Sequence, residues 1–315
     1  MALPRTKQFE LSRTHLFNIG GVAMIALSVA LALQNTFASE PETALCETRY
    51  ANGVLFGYTK QKGVAMAPEE LQSRLGGLDR GLVKNTRIVK DDGVPYGFAL
   101  EVQLKRAAAE EDDQSRSGIG LTWVPRQLAS ATAACLSYSV WTPEGFKPGE
   151  GGVLPGLVSD SGVEVLNVPV EVSVLPIRVD QPADNPDGDA PPAQLTPFSL
   201  RPQWRADGSL IIWQTPNIGQ RGLVLVDPKA ALKPGRWVRI EQEVVLNTPG
   251  QSDGTLRMWV DGKIVYEQST IGYRSDEVQS FQAVIGDIYN LRHGVWSGAP
   301  AHTRIKLSPL ELRLR

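Results

Sequence analysis

Alternation of apolar and polar positions governs most of this chain beyond residue 86, and its period of two is that of half-buried strands. From Tyr96 to Leu104, Phe98, Leu100, Val102 and Leu104 share one face. Ala133 to Trp141 sets Ala134, Leu136, Tyr138 and Val140 against Cys135, Ser137, Ser139 and Trp141. Leu232 to Tyr266 reads as three consecutive antiparallel strands, and the Asp261-Gly262 pair predicts a two-residue hairpin turn. In its first strand Val238, Ile240, Val244 and Leu246 form a core face, opposite Trp237, Arg239, Glu241 and Glu243. Alternation leaves open whether the Trp237 row lines a groove or forms an outer surface.

Other segments are punctuation. Ala67 to Leu75 predicts one short helix, with Pro68 in its first turn and Gly76-Gly77 ending it. Residues 107–118 and 180–197 read as surface loops, and Thr142 to Gly152, rich in Gly and Pro, reads as irregular. Val163 to Val179 is Val-rich but carries Pro169 and Pro176, which favours an edge or bulged arm. From Phe198 to Leu314, short strands recur with Gly, Asp and Pro turns between them. The expected fold is all-β, a sandwich of jelly-roll type spanning residues 39–315.

Composition changes this picture mainly at the N-terminus. Arg5, Lys7 and Arg13 precede the uncharged stretch Leu16–Leu33, followed by Thr36-Phe-Ala38. Residues 1–38 therefore read either as a cleaved secretory signal or as an uncleaved membrane anchor through residues 16–33. Both readings export the remainder to the periplasm or beyond. Cys46 and Cys135 are the only cysteines and fall in that exported portion, as a disulfide or as two buried thiols. The net charge of −2 and the lack of a basic cluster point away from nucleic acid as a partner. Asp184 to Asp189 has acidic spacing but contains Pro186 and lacks a closing Glu, so it does not read as an EF-hand. No Cys/His cluster, paired-carboxylate spacing or Ser-His-Asp order stands out, and neither metal nor cofactor is expected.

Three stretches carry a family resemblance: Ala134 to Phe146 with Gly151-Gly-Val-Leu-Pro-Gly-Leu157, then Ser199-Leu-Arg-Pro-Gln-Trp-Arg205, then Leu232 to Tyr266. Together they resemble polysaccharide lyase family 14, the alginate and glucuronan lyase type. The resemblance implies β-elimination on an acidic polysaccharide. A cationic or polar donor neutralises the uronate carboxylate, a Lys or Tyr takes the C5 proton, and a second group protonates the leaving glycosidic oxygen.

Ser199 and Arg201 match the family's Ser-x-Arg pair, and period-two geometry places Gln203 and Arg205 on the same face. Two departures stand beside that match. Val153 occupies the position of the family Lys, and Ile211 and Trp213 stand where the family presents tyrosines. Trp213 can stack on a sugar ring, but its indole N–H is only a donor. Replacement proton-transfer groups are sought among Tyr266, Tyr273, Tyr289, His293 and His302, with Tyr289 and His293 in the densest polar cluster. The expected catalytic set is therefore Ser199, Arg201, Tyr289 and His293. Gln203, Arg205, Trp213, Trp237 and Arg239 are the expected substrate contacts. Two functions fit: an exported lyase acting on a uronate-containing polysaccharide, or a non-catalytic carbohydrate-binding or envelope protein on the same scaffold.

Overall fold

The computed structural model describes residues 45–60, 63–106, 117–159, 198–217, 220–227, 229–275, 280–293 and 295–315. The apolar stretch 16–33, the Val-rich segment 163–179, the loop 180–197 with its acidic run, and residues 107–116 lie outside the described residues.

Among the described residues, three short α-helices, α1 (Cys46–Arg49), α2 (Pro68–Leu75) and α3 (Leu82–Asn85), accompany eighteen strands. In the first half of the chain these are β1 (Asn52–Phe56), β2 (Thr86–Lys90), β3 (Phe98–Leu104), β4 (Thr122–Trp123), β5 (Ala133–Trp141), β6 (Gly151–Val153) and β7 (Gly156–Ser159). Next come β8 (Ser199–Arg205), β9 (Leu210–Asn217), β10 (Gln220–Leu225), β11 (Trp237–Val245), β12 (Gly254–Val260) and β13 (Lys263–Ile271). The chain continues with β14 (Phe281–Ile285), β15 (Tyr289–Arg292), β16 (Val295–Ser297), β17 (Thr303–Leu307) and β18 (Leu310–Leu314).

These strands form two antiparallel sheets. The first runs β13-β12-β11-β5-β17-β3-β2, with β18 pairing β5 beyond β17 and β1 pairing β18. In the second, β9 joins β8 and β10 joins β9 at one side, while β6 and β7 share the other edge of β8 and lead outward to β15-β16 and β14-β4. The inner faces are those the alternation predicts. Leu136, Tyr138, Val140, Val238, Ile240 and Val244 from the first sheet meet Leu200, Trp204, Leu210 and Ile212 from the second in one core. Two polar links cross it: Gln242 Nε2 donates to the Leu200 carbonyl at 3.2 Å, and the Tyr138 hydroxyl donates to the Pro155 carbonyl at 2.9 Å. Such buried groups would each cost about 1–3 kcal/mol if left unmet, so these bonds help fix how the sheets face one another.

The Gly-rich motif is explained by close packing. A Cβ on Gly152 would lie 2.0 Å from the Trp204 ring, and one on Gly156 would lie 2.1 Å from the Leu200 carbonyl oxygen. Only glycine lets β6 and β7 lie this tightly along β8.

Helix α2 forms where expected, with the Glu70 carboxylate accepting from the Ala67 N–H at 2.9 Å and Gly76 at φ 70° ending it. The hairpin at Asp261 (φ 50°) and Gly262 (φ 80°) is also as read, since a type I′ turn needs both residues left-handed. Boundaries moved elsewhere. Tyr96 sits in a tight turn at φ 69° instead of opening β3, and β6 begins inside the segment expected to be irregular. The sequence reading also passed over β1, α1 and α3, short elements held by tertiary contacts more than by their own pattern.

Cys46 and Cys135 are disulfide-bonded, resolving the choice left open in the sequence. The bond ties α1 to the outward face of β5. Beside it, Glu243 accepts from Arg49 at 2.8 Å, Arg257 at 2.7 Å and the Tyr50 hydroxyl at 2.7 Å.

Candidate active site

The site is built on β8 because its outward positions are polar while Leu200, Pro202 and Trp204 are buried inward. Ser199, Arg201 and Gln203 are half-buried on that outward face, and Arg205 is exposed at its end. Strand register adds neighbours on both sides. Trp213 of β9 lies directly opposite Arg201, and Ile211 lies opposite Gln203. On the other edge Gln203 pairs with Val153, which pairs with Tyr289 of β15. A cross-strand row Ile211-Gln203-Val153-Tyr289 thus runs beside Trp213 and Arg201.

Arg201 is the electrostatic centre. Its Nη2 donates to Asp287 Oδ2 at 2.8 Å and its Nη1 to the Tyr289 hydroxyl at 3.4 Å, while its Nε is buried without an acceptor among the described residues. Asp287 is itself buried and also accepts from Arg80 at 3.2 Å and from the Leu121 N–H at 3.0 Å. Burial pulls the Arg201 pKa down, but Asp287 and Tyr289 outweigh it and hold the guanidinium above its ordinary value. Burial also raises the Tyr289 hydroxyl above the usual phenol range, with Arg201 pulling partly back. The Tyr289 ring stacks on Trp296 at 4.1 Å and 8° and lies beneath the Arg201 guanidinium at 5.7 Å.

Of the expected set, Arg201, Gln203, Tyr289 and Trp213 come together, with Ser199 two residues along the same strand face and Arg205 at its rim. Three expected residues do not join them. His293 lies in the turn between β15 and β16 at φ 51°, its side chain 80% exposed and its N–H donating to Glu150. Four residues of strand rise place it about 13 Å along the chain from Tyr289. Trp237 and Arg239 belong to β11 of the other sheet, on its outward face, so they form the outer surface and not a groove beside Arg201. Arg239 there donates to Glu241 at 2.9 Å. The remaining proton-transfer candidates are also elsewhere: Tyr266 on β13, Tyr273 in the core, and His302 before β17.

Asp287 was missed from the sequence. A signal exists: it is the lone acid in the apolar run Ala283 to Ile288, and a carboxylate in such a run must find cationic partners. Among the described residues, the grouping Cys46, Cys135 and Glu241 has metal-ligand residue types, but its two sulfurs are spent in the disulfide.

Residues 220–289 match the family model for polysaccharide lyase 14. No curated protein matches the chain in sequence. Solved structures match far more of it. The marine PL-14 alginate lyase from Aplysia kurodai superposes with a TM-score of 0.60 at 17% identity, covering 84% of this chain and 99% of that one. Alginate lyase vAL-1 from Chlorella virus gives 0.56 at 18% identity over 78% and 97%. Endo-β-1,4-glucuronan lyase from the fungus Trichoderma reesei gives 0.52 at 12% identity over 84% and 96%. At these identities the structures establish a shared fold. The family this chain is similar to, by sequence over residues 220–289 and by fold over most of its length, is polysaccharide lyase 14.

Proposed function

We propose that this protein is an exported polysaccharide lyase that cleaves a uronate-containing polymer, of the alginate or glucuronan kind, by β-elimination at the Arg201 face. One observation carries the reading: a titratable hydroxyl, that of Tyr289, lies within 3.4 Å of the Arg201 guanidinium on the outward side of the second sheet. The Arg201 guanidinium is held in place by Asp287 with its side chain 11% exposed, and a fixed cationic donor stabilises charge developing at a uronate carboxylate. Tyr289 then removes the C5 proton as phenolate, the C4–O bond breaks as the C4–C5 double bond forms, and the same proton passes to the leaving oxygen. Gln203 and Trp213 flank the scissile region as hydrogen-bonding and stacking groups, and Arg205 extends the cationic face. Export is supported by the basic residues ahead of Leu16–Leu33 and by the disulfide, a bond favoured in oxidising compartments.

Because burial keeps the Tyr289 proton on, the phenolate is scarce at neutral pH and grows as pH rises. Activity therefore climbs from about pH 7 toward pH 10, a profile set by a phenol in place of an imidazole. The test is ultraviolet absorbance of the unsaturated uronate product from alginate and glucuronan. The parent protein produces it, and Arg201→Ala and Tyr289→Phe each reduce it by about a hundredfold or more. Absence of product with any polyuronate across that pH range would overturn the catalytic reading.

A second reading is favoured by a separate observation. Val153 and Ile211, 2% and 7% exposed, occupy the row beside Arg201, and Asp287 already neutralises its charge. On that reading the face binds an acidic polysaccharide without cleaving it. Binding that Arg201→Ala weakens, with no unsaturated product, identifies this case.

A further inference from the structure

The outward face of the first sheet holds a second concave site, which the Arg201 chemistry does not use. Where β5 ends at Trp141, the following loop folds up to form one wall, the turn ahead of β17 forms the other, and β3 and β17 make the floor. The cleft has a volume of about 580 Å³, within the usual range for small-ligand sites. Its lining is mixed, about as apolar as polar, around a single large aromatic: Trp141 with Glu101, Gln103, Glu144, Lys147 and His302.

The floor is fixed by internal pairing. Lys306 is held by Asp91 at 2.7 Å and sits 4.5 Å over the Trp141 ring, which anchors the indole. Glu101 is clamped between Arg87 and Arg304. The walls, by contrast, keep their hydrogen-bonding capacity. Neither Glu144 nor Lys147 has an ion-pair partner among the described residues. His302 Nδ1 accepts from the Arg106 N–H at 3.4 Å, which leaves Nε2 as a donor.

This chemistry selects a class of ligand. Glu101 and Glu144 stand among Lys147, Arg304 and Lys306, so hydrogen-bond donors and acceptors both surround the aromatic and no single sign of charge is demanded of a ligand. Carboxylate, amide, ammonium and imidazole groups around an indole suit a molecule with a C–H ring face and many hydroxyls. We infer that this cleft is a second saccharide-binding site, one that takes a short segment of a glycan chain with a ring stacked on Trp141. It lies on the opposite sheet from Arg201 and goes beyond the proposed lyase activity.

Titration calorimetry of the folded chain with cellohexaose and, separately, with a hexameric oligoglucuronate tests the inference. At least one of the two binds in the Arg201→Ala variant as it does in the parent. Trp141→Ala weakens that binding by about tenfold or more, as loss of a central aromatic contact does. Because Trp141 is half-buried, the double variant Glu144→Gln, Lys147→Ala serves as the second arm: both positions are exposed, so its melting temperature stays at the parent value while affinity falls. If neither oligosaccharide binds, or if binding survives both cleft variants and disappears only with Arg201→Ala, the cleft is not a saccharide site. Loss of the lyase signal alone leaves this result standing, so the two proposals fail separately.

Discussion

The two sheets present outward faces of equal alternation and unequal chemistry. On the first sheet the charges are cross-paired: Glu243 meets Arg49, Arg257 and Tyr50, Glu101 meets Arg87 and Arg304, and a disulfide lies among them. On the second, one guanidinium is held by a buried carboxylate beside a titratable tyrosine hydroxyl, with apolar Val153 and Ile211 alongside. A polar strand face is thus not in itself a binding face. A charge set among several opposite charges stabilises the sheet; a cation set beside a titratable hydroxyl has chemistry available to it.

The comparison breaks most sharply through the disulfide. In the chain-entropy account, closing the 89-residue separation between Cys46 and Cys135 is worth about 4 to 5 kcal/mol. Cys135→Ser should lower stability by that order in denaturant titration, while product formation by the folded fraction stays at the parent rate. Tyr289→Phe should do the reverse, lowering turnover by about a hundredfold with the denaturation midpoint nearly unchanged.

Glu243→Gln comes next, at about 2 kcal/mol of stability with catalysis intact. Burial pushes the Glu243 pKa up, but hydrogen bonds from Tyr50, Arg257 and Arg49 more than reverse this, so its folded value lies below the ordinary 4.5. Its contribution is therefore complete above that ordinary value and disappears as pH falls through the lower folded one. Acid titration of the melting temperature should show Glu243→Gln losing less than the parent below about pH 4.5. A similar cost is expected at Arg239. Its partner Glu241 is only 1% exposed, so Arg239→Ala should lower stability by about 2 kcal/mol or more while leaving polysaccharide cleavage untouched.

Strand existence and facing were legible because a one-residue slip in Ala133 to Trp141 or Trp237 to Val245 would put valines and leucines in water. What alternation could not convey was which sheet each strand joins. Trp237 and Arg201 look alike in sequence, both in polar rows, and only strand order sets them on opposite sides of the sandwich. His293 stood out in sequence by composition, yet its left-handed backbone makes it a turn residue. Asp287 escaped notice because its partners, Arg80 and Arg201, come from distant segments that only the folded sheet brings together.

Strand β18 lies between β1 and β5, pairing Asn52 with Leu314 on one side and Ser137 with Glu311 on the other. During synthesis β1 emerges long before β18, its one partner strand among the described residues, so its edge stays open until β18 has been made. Contacts this remote in sequence slow folding. The bond from Cys46 to Cys135 can close far earlier, and it leashes β1 beside β5 with a gap the width of one strand. Oxidation before completion would thus hold a vacancy that the late strand fills, making the order of thiol chemistry and chain growth a determinant of yield.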